Sequence, residues 1–583
     1  MANYENYTKE QLIEEIKKIK QQKKFGLVWE DKPEQVVEEC KRNFPVLTEC
    51  SDKAIMRSVS NVEPTHLIIE GDNYHALSVL NVTHKGKIDV IYIDPPYNTG
   101  AKNWKYNNDY VDENDAFRHS KWLCMMEKRL RLAKNLLTDN GVIIVTIDDY
   151  EVATLRLLMD DIFWENNHLG TVVIKNNPSG RSTIKGFAIA HEYALFFCRS
   201  NEAKIGRLPR NEKQISRYAE KDSFGSYEWV NFRARYSTES PTMQYPIFIK
   251  KDGTDFRVPK LEWNEENRKF ILFEQPKENE LVKYPIDELN KLRSWKWSIE
   301  TLNNNKETEM AVRLDKNKVP AVYVKARMKD EGMLPLTWWD KTEYSATSQG
   351  NNLLMSIMGG KVFDYPKSLY AVEDCLRVAT NNNSSTILDF FAGSGTTGHA
   401  VLELNKEDNG NRQFILCTNN ENNICEEVTY PRIKKVIEGY GSTNSPTSTG
   451  IPANVRYFKT DFVEKSEDTD ENRVLITERC HELLQIKEGC YVPVKTKMEN
   501  IKLWKNESKL MAVIFDRYNI ENDTKYVEEI KRHAAPEIVV YRFSIDGNLD
   551  MNIASLPNAR LEEIPEEILK IYNQIFKKNR KRK

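Results

Sequence analysis

The sequence has no apolar run of about 20 residues, so no segment is predicted to cross a membrane. The opening stretch MANYENYTKEQ is acidic and polar and lacks the pattern of a secretory leader. Cysteine is sparse: nine residues are scattered over 583 with no C-x-x-C pair. That argues against structural zinc and a disulfide framework; no metal site is expected, and a reducing cytoplasm is the expected compartment. An excess of either charge is also missing, since 85 Lys+Arg stand against 87 Asp+Glu for a net charge of −2. A whole-surface nucleic-acid binder is thereby disfavoured, while a local basic groove is not. What is present is ordinary soluble composition, 40% hydrophobic and 30% charged. The chain is too long for one core and predicts roughly three or four domains.

Thr8 as a cap, Gln11 closing a capping box, and Leu12, Ile13, Ile16 and Ile19 at helical spacing predict a helix over 8–24. Its lysine-rich face reads as solvated. From 66 to 200, HLIIEGDN, KIDVIYID, GVIIVTID and HEYALFFCR read as strands. Between them, helices are predicted over 115–137, with Trp122, Leu123, Met126, Leu130 and Leu137 on one side, and through EVATLRLLMDDIF. Continuous rather than alternating hydrophobicity implies a parallel sheet covered on both faces. Between about 201 and 336, short β-like pieces alternate with turns, and tryptophans appear at 229, 263, 295 and 297. The α/β pattern resumes with STILDFFAGSGTTGHAVLELN and RQFILCTNNEN. A turn-rich linker, GYGSTNSPTSTGIP (439–452), precedes a separate small α/β unit with strands near LMAVIFD and PEIVVYRF, and the basic tail KKNRKRK. The expected division is an N-terminal helical segment (1–60), α/β halves at 61–200 and 337–460, an inserted domain (201–336) and the C-terminal unit (461–583).

Two motifs carry chemistry. KIDVIYIDPPYNTG (87–100) runs a buried strand into an acid, two rigid prolines and an aromatic. DFFAGSGTTG (389–398) leaves a strand and opens a helix, its glycines letting a ligand approach the main chain. Alone, the second motif satisfies the dinucleotide pattern G-x-G-x-x-G or a plain helix-start turn. A nicotinamide enzyme, however, has no use for DPPY.

A strand ending in DPPY together with one ending in D-x-F-x-G-x-G resembles the S-adenosylmethionine-dependent amino-methyltransferases of DNA. The resemblance implies an α/β fold: a Rossmann-like seven-stranded mixed sheet, circularly permuted so that the catalytic strand comes first. A target recognition domain is inserted between the halves, the β-group order. The blocks FGLVWEDKPE, HLIIEGDNYHAL, HEYALFF, FDYPKS and NICEEVTYPRIKKVIEGY extend the resemblance to the modification subunit of type III restriction–modification systems. It covers nearly the whole chain and is weakest in the inserted domain.

The exocyclic amine of adenine is a poor nucleophile because its lone pair is delocalised into the ring. The Asp94 carboxylate and the Pro95 carbonyl can accept its two hydrogens, which frees that lone pair. A hydrogen bond to a charged group is worth roughly 1.5–3 kcal/mol, and more where water is excluded. Pro95 and Pro96 fix φ, and Tyr97 offers a face on which a flipped base stacks, worth about 1–3 kcal/mol. Flipping the base out of the duplex costs roughly a few kcal/mol.

For S-adenosylmethionine the resemblance implies Asp389, Phe391, Gly393 and Gly395, with Asp389 near the methionine ammonium. It adds Asp72 near the adenine, for which a capped turn is the alternative, and Lys367. The family usually has proline after that lysine, where this chain has Ser368. Thr418 occupies the position where many relatives carry the ribose-binding acid; Glu421, three residues on, could reach the ribose or be a surface glutamate. His191 and His399 read as structural, and Phe117 and Trp122 as core rather than base pocket. In the inserted domain Arg233, Arg235, Arg257, Lys260, Arg293 and Lys296 are candidates for phosphates or base edges. Trp295 and Trp297 would share one side of a strand, as readers or as core.

The expected activity is adenine-N6 methylation of double-stranded DNA. The resemblance implies a homodimer joined by an ATP-dependent restriction (helicase–nuclease) subunit, with the C-terminal unit as a docking surface. Competing readings are a solitary regulatory methyltransferase, a cytosine-N4 enzyme, a non-catalytic specificity protein and a methyltransferase of RNA or protein amides. Asp rather than Ser before Pro-Pro-Tyr favours adenine over cytosine.

Overall fold

The computed structural model describes residues 8, 9, 12, 27–57, 64–107, 109–180, 186–234, 240–329, 331–380, 382–441, 447, 449–515, 522–533, 535–543 and 551–577. The helix expected over 8–24 lies almost wholly outside these residues, as do Arg235, much of the 439–452 linker and the basic tail beyond Lys577. No helix among the described residues is long and apolar enough to cross a membrane. The chain divides into two compact units, one of Met1–Gly206 with Leu334–Lys583 and one of Arg207–Met333.

In the first unit α1 (Gln35–Arg42) leads into β1 (Asn43–Glu49). Then come β2 (Thr65–Glu70), α2 (Asn73–Thr83), β3 (Ile88–Ile93), α3 (Arg118–Leu136) and β4 (Leu137–Ile147). The first half closes with α4 (Val152–Phe163), β5 (His168–Ile174) and β6 (Glu192–Cys198). The second half supplies α5 (Leu369–Ala379), β7 (Thr386–Asp389), α6 (Thr396–Asp408), β8 (Gln413–Thr418), α7 (Tyr430–Glu438) and β9 (Asn454–Glu464). The central strands lie in the order β2-β8-β7-β3-β4-β6-β5. These seven strands, drawn from both halves in the permuted order, are the centre of a sheet that extends to eleven strands.

All of these strands are parallel except β6, which pairs antiparallel with β4 and β5. The uniform hydrophobicity of HEYALFFCR had implied a parallel strand. Ala194, Leu195 and Phe197 are fully buried, and burial on both faces reports cover, not direction. The strand β5 was not anticipated; it contains Gly170 and is only partly buried.

The N-terminal segment is not simply helical. Its β1 pairs antiparallel with β9, Asn43 opposite Glu464, and buries Val46 and Leu47. Pro45 suits this edge position, where its missing N–H is not needed. The strand β9 runs across residue 461 and lies parallel to β2.

The C-terminal five-stranded sheet (492–564) is separate; one face has its own core around Leu503, Ala512, Tyr526 and Val540, and the other joins the core of the main sheet. One apolar cluster joins Leu77, Leu80 and Phe44 to Cys480, Leu484, Val539 and Tyr572. Tyr572 donates to the Pro45 carbonyl. The turn-rich linker interrupts the chain without interrupting the apolar packing.

The second unit holds a four-stranded sheet, a three-stranded sheet and the hairpin Leu261–Asn264/Lys269–Leu272. It also contains a helix, Ile299–Glu309, missed in the sequence because only Leu302 on it is buried. Trp295 stacks on Phe232 at 5.4 Å and Trp297 meets the same ring edge-on at 5.7 Å. Both tryptophans therefore pack in this unit's core, from an irregular segment that only bridges Arg233.

Candidate active site

Strands β3 and β7 are hydrogen-bonded neighbours, Val90 opposite Ile387 and Ile91 opposite Leu388. Being parallel, they release their two loops at the same edge of the sheet, where ligands of open α/β sheets bind. DPPY and FAGSG thus converge although about half of the chain separates them.

Asp94 Oδ1 accepts from Thr146 Oγ1 of β4 at 2.7 Å and lies 3.0 Å from Lys367 Nζ. Its side chain keeps 27% of its surface open. Lys367 Nζ also stands 2.5 Å from Glu192 Oε2, contacts the Tyr97 hydroxyl and lies 4.6 Å from that ring's centroid. The Tyr97 hydroxyl donates to Glu192 Oε2 at 2.8 Å. Burial lifts the Asp94 carboxyl above its ordinary value; Lys367 pulls it back and Glu192 pushes it further up. Burial also opposes the Lys367 charge, but the two carboxylates hold the ammonium protonated beyond the usual lysine range.

The rest of the loop is pinned from behind. Trp122, fully buried on α3, donates to the Pro96 carbonyl at 2.7 Å. The Pro95 carbonyl accepts no hydrogen bond among the described residues. Asn98 takes a left-handed φ of 56°, a conformation asparagine tolerates. Its side chain donates to Glu151 at 2.5 Å and accepts from Trp104 Nε1 at 3.2 Å.

In the second loop Asp389 accepts from Phe391 N at 2.9 Å and Thr397 Oγ1 at 2.5 Å. Its carboxyl is raised to about 7: burial lifts it most, these two hydrogen bonds oppose the rise, and the Asp94 charge adds to it. Gly393 (φ 48°) and Gly395 (φ 75°) make the bend, where a side chain would cost about 1–2 kcal/mol. Thr429 Oγ1 donates to the Gly393 carbonyl at 2.6 Å. Arg432, fully buried, donates to Thr396 Oγ1 at 2.8 Å and to Ser394. Asp389, unlike Asp94, has no cation within ion-pair distance among the described residues and stands beside the glycine bend. These residues fit a cationic donor such as S-adenosylmethionine.

Three expected cofactor residues have other partners. Lys367 belongs to the Asp94 cluster. Ser368, in place of the family's proline, caps α5 at Ala371 N and donates to the Glu343 carbonyl at 2.8 Å. Asp72 caps α2 through Tyr74 N at 2.7 Å and lies 3.3 Å from Arg129, with its side chain partly open to solvent. Glu421 lies beyond the end of β8, 3.7 Å from Lys105, and Thr418 is buried at that strand's end.

Glu192, Thr146 and Arg432 were missed. Glu192 stood inside the quoted HEYALFF block, where its neighbour His191 drew attention; a lone acid opening an apolar strand was the available signal. His191 meets the Tyr193 hydroxyl at 3.0 Å. His399 is buried beside Arg432 (3.3 Å), and burial lowers its pKa to about 4; both serve the framework. Phe117 is exposed beneath Lys32 Nζ, 3.4 Å from its ring centroid.

In the second unit Arg257 is 2.8 Å from Glu280 and also pairs with Glu274. Arg293 lies 2.7 Å from Asp287. Arg233 and Lys296 donate to the carbonyls of Ile286 and Asn231. Lys260 is exposed.

The DNA methylase family model matches residues 88–429, spanning both motifs. The type II methyltransferase M.KpnI of Klebsiella pneumoniae is 34% identical over 376 residues, 63% of this chain and 84% of that protein. The EcoPI Mod subunit of Escherichia phage P1, a type III restriction–modification enzyme, is 28% identical over 464 residues, 71% of this chain and 69% of that protein. The EcoP15I Mod subunit of Escherichia coli, also type III, is 29% identical over 407 residues, 62% and 60% of the two chains. With both motifs intact and joined at one sheet edge, the chain belongs to this family of N6/N4 DNA methylases.

Proposed function

We propose that the chain transfers a methyl group from S-adenosylmethionine to adenine N6 in a base flipped out of double-stranded DNA, as the modification subunit of a type III restriction–modification system. Family membership supports DNA methylation, and several Mod relatives support the system. The observation that carries the reading is the junction of β3 and β7, which releases DPPY and FAGSG at one sheet edge, near enough for the Asp94 charge to reach Asp389.

S-adenosylmethionine, when bound, supplies a methyl carbon made electrophilic by its sulfonium. Asp389, Phe391, Gly393 and Gly395 would hold it, with Glu421 within the reach of the β8 end. Asp94 and the Pro95 carbonyl accept the amine hydrogens and draw the nitrogen toward tetrahedral geometry. The freed lone pair would take the methyl group in line as the sulfonium leaves as a neutral thioether, and the nitrogen would then give up the proton it shares with Asp94, to that carboxylate and on to solvent. Thr146 and Lys367 hold the Asp94 carboxylate still, and Glu192 fixes the Tyr97 ring for stacking. No covalent enzyme intermediate is needed, so positioning supplies much of the rate.

Residues 207–333 are the candidate target recognition domain. We further place the protein in the cytoplasm as a homodimer, one protomer reading DNA while its partner methylates, bound to an ATP-dependent restriction subunit. One observation favours a second reading, the same chemistry without that subunit: the 34% identical relative is a type II methyltransferase.

The test is transfer of labelled methyl from S-adenosylmethionine to DNA by the purified chain without ATP, followed by digestion to nucleosides. N6-methyladenine is expected. N4-methylcytosine would overturn the base assignment, and no transfer at all would favour a specificity protein. Co-purification from the host with a helicase–nuclease separates the type III reading from the solitary one.

A further inference from the structure

We infer that Glu192 is a charge-compensating residue for the methyl-transfer step: by engaging the Lys367 ammonium, it leaves a net negative charge at Asp94 for the amine. The inference rests on the proposed role of Asp94 as acceptor of the amine hydrogens.

The cluster joins the end of β3, the start of β6 and the segment before α5. Glu192 is 3% exposed and lies closer to Lys367 than Asp94 does, 2.5 Å against 3.0 Å. Lys367 is the sole cation within ion-pair distance of Asp94 among the described residues. With Lys367 alone, Asp94 would form a neutral pair whose cation faces the nitrogen as it becomes positive, and electrostatic help would be cancelled where it is needed. A buried ion pair broken on one side is also strongly unfavourable. Adding Glu192 makes the set two carboxylates and one ammonium, net −1. The other ionisable neighbours are Asp389 from β7, the Cys375 thiol of α5 and the Tyr92 and Tyr97 hydroxyls, the thiol and hydroxyls held neutral by burial; none supplies a cation. If Glu192 only anchored the Tyr97 hydroxyl, a neutral amide oxygen would accept that bond equally well.

The test measures single-turnover methylation at saturating DNA and cofactor. Glu192→Gln is expected to slow transfer roughly tenfold or more while cofactor affinity stays within about twofold. Glu192→Asp, which keeps the charge, is expected to outperform Glu192→Gln even if both lose some stability. A wild-type rate in Glu192→Gln, or a Glu192→Asp no faster than Glu192→Gln, overturns the inference. Asp94→Asn is run beside them: if it keeps the wild-type rate, the reading of Asp94 fails and takes the inference with it. If only Asp94→Asn is slow, the inference alone fails.

Discussion

Asp94 lies close enough to Asp389 for its charge to raise the Asp389 carboxyl, which burial alone already lifts, to about 7. The two residues end strands that are neighbours in the sheet, so this coupling follows directly from strand order. It has consequences for pH.

A cationic donor prefers an ionised Asp389. Cofactor affinity is expected to strengthen between pH 6 and pH 8, and Asp389→Asn to weaken it and flatten that dependence; calorimetric titration across this range checks both. The stability effect runs the other way. Asp389 binds its proton more tightly folded than unfolded, where its pKa is about 3.9. Its contribution is full below the unfolded value and is lost as pH rises through about 7. Wild-type protein is therefore expected to lose more thermal stability than Asp389→Asn on going from pH 5 to pH 8.

Asp94→Ala removes the charged acceptor and leaves the FAGSG loop untouched. Transfer is expected to fall by about 100-fold or more, with cofactor affinity near normal. Single-turnover transfer and equilibrium binding, measured on the same preparation, decide it. Transfer at the wild-type rate would remove Asp94 from its role.

Trp122→Phe keeps the buried ring and deletes the hydrogen bond to the Pro96 carbonyl. Leaving that acceptor unpaired costs about 1–3 kcal/mol, part of it in stability and part in the set of the DPPY loop. A lowered Tm with a reduced kcat and unchanged DNA affinity is the expected pattern.

In the second unit, Arg257 and Lys260 are expected to separate structure from recognition. Arg257→Ala breaks a two-carboxylate pairing and should lower stability without a matching change in the salt dependence of DNA binding. Lys260→Ala, at an exposed position, should weaken binding across sequences and reduce the salt slope by about 1. DNA affinity measured over a salt series distinguishes them.

The catalytic and cofactor loops were legible because each is contiguous and carries its own backbone chemistry. Prolines after an acid, and glycines at left-handed turns, state their conformation without reference to the rest of the chain. The helical caps at Asp72 and Ser368 belong to the same class, although a capping role for Ser368 emerged only where the helix start was seen. The misreadings share a cause. The direction of β6 was hidden because a strand buried on both faces looks the same in either orientation. Helix 299–309 was hidden because a helix with one buried residue has almost no apolar period. The strand β1 was overlooked because its pairing partner, β9, lies far along the chain, beyond the second motif.

The amino-acid sequence by itself determined the family, the permuted order of the two motifs and the identities of Asp94, Tyr97 and the glycine bend, since each follows from residues adjacent in the chain. Only the tertiary structure decided that Lys367 faces Asp94, that Glu192 and Thr146 complete that cluster, and that the C-terminal sheet shares the main apolar core. Those relations depend on distances across neighbouring strands. Sheet order sets such distances, and no local pattern records them.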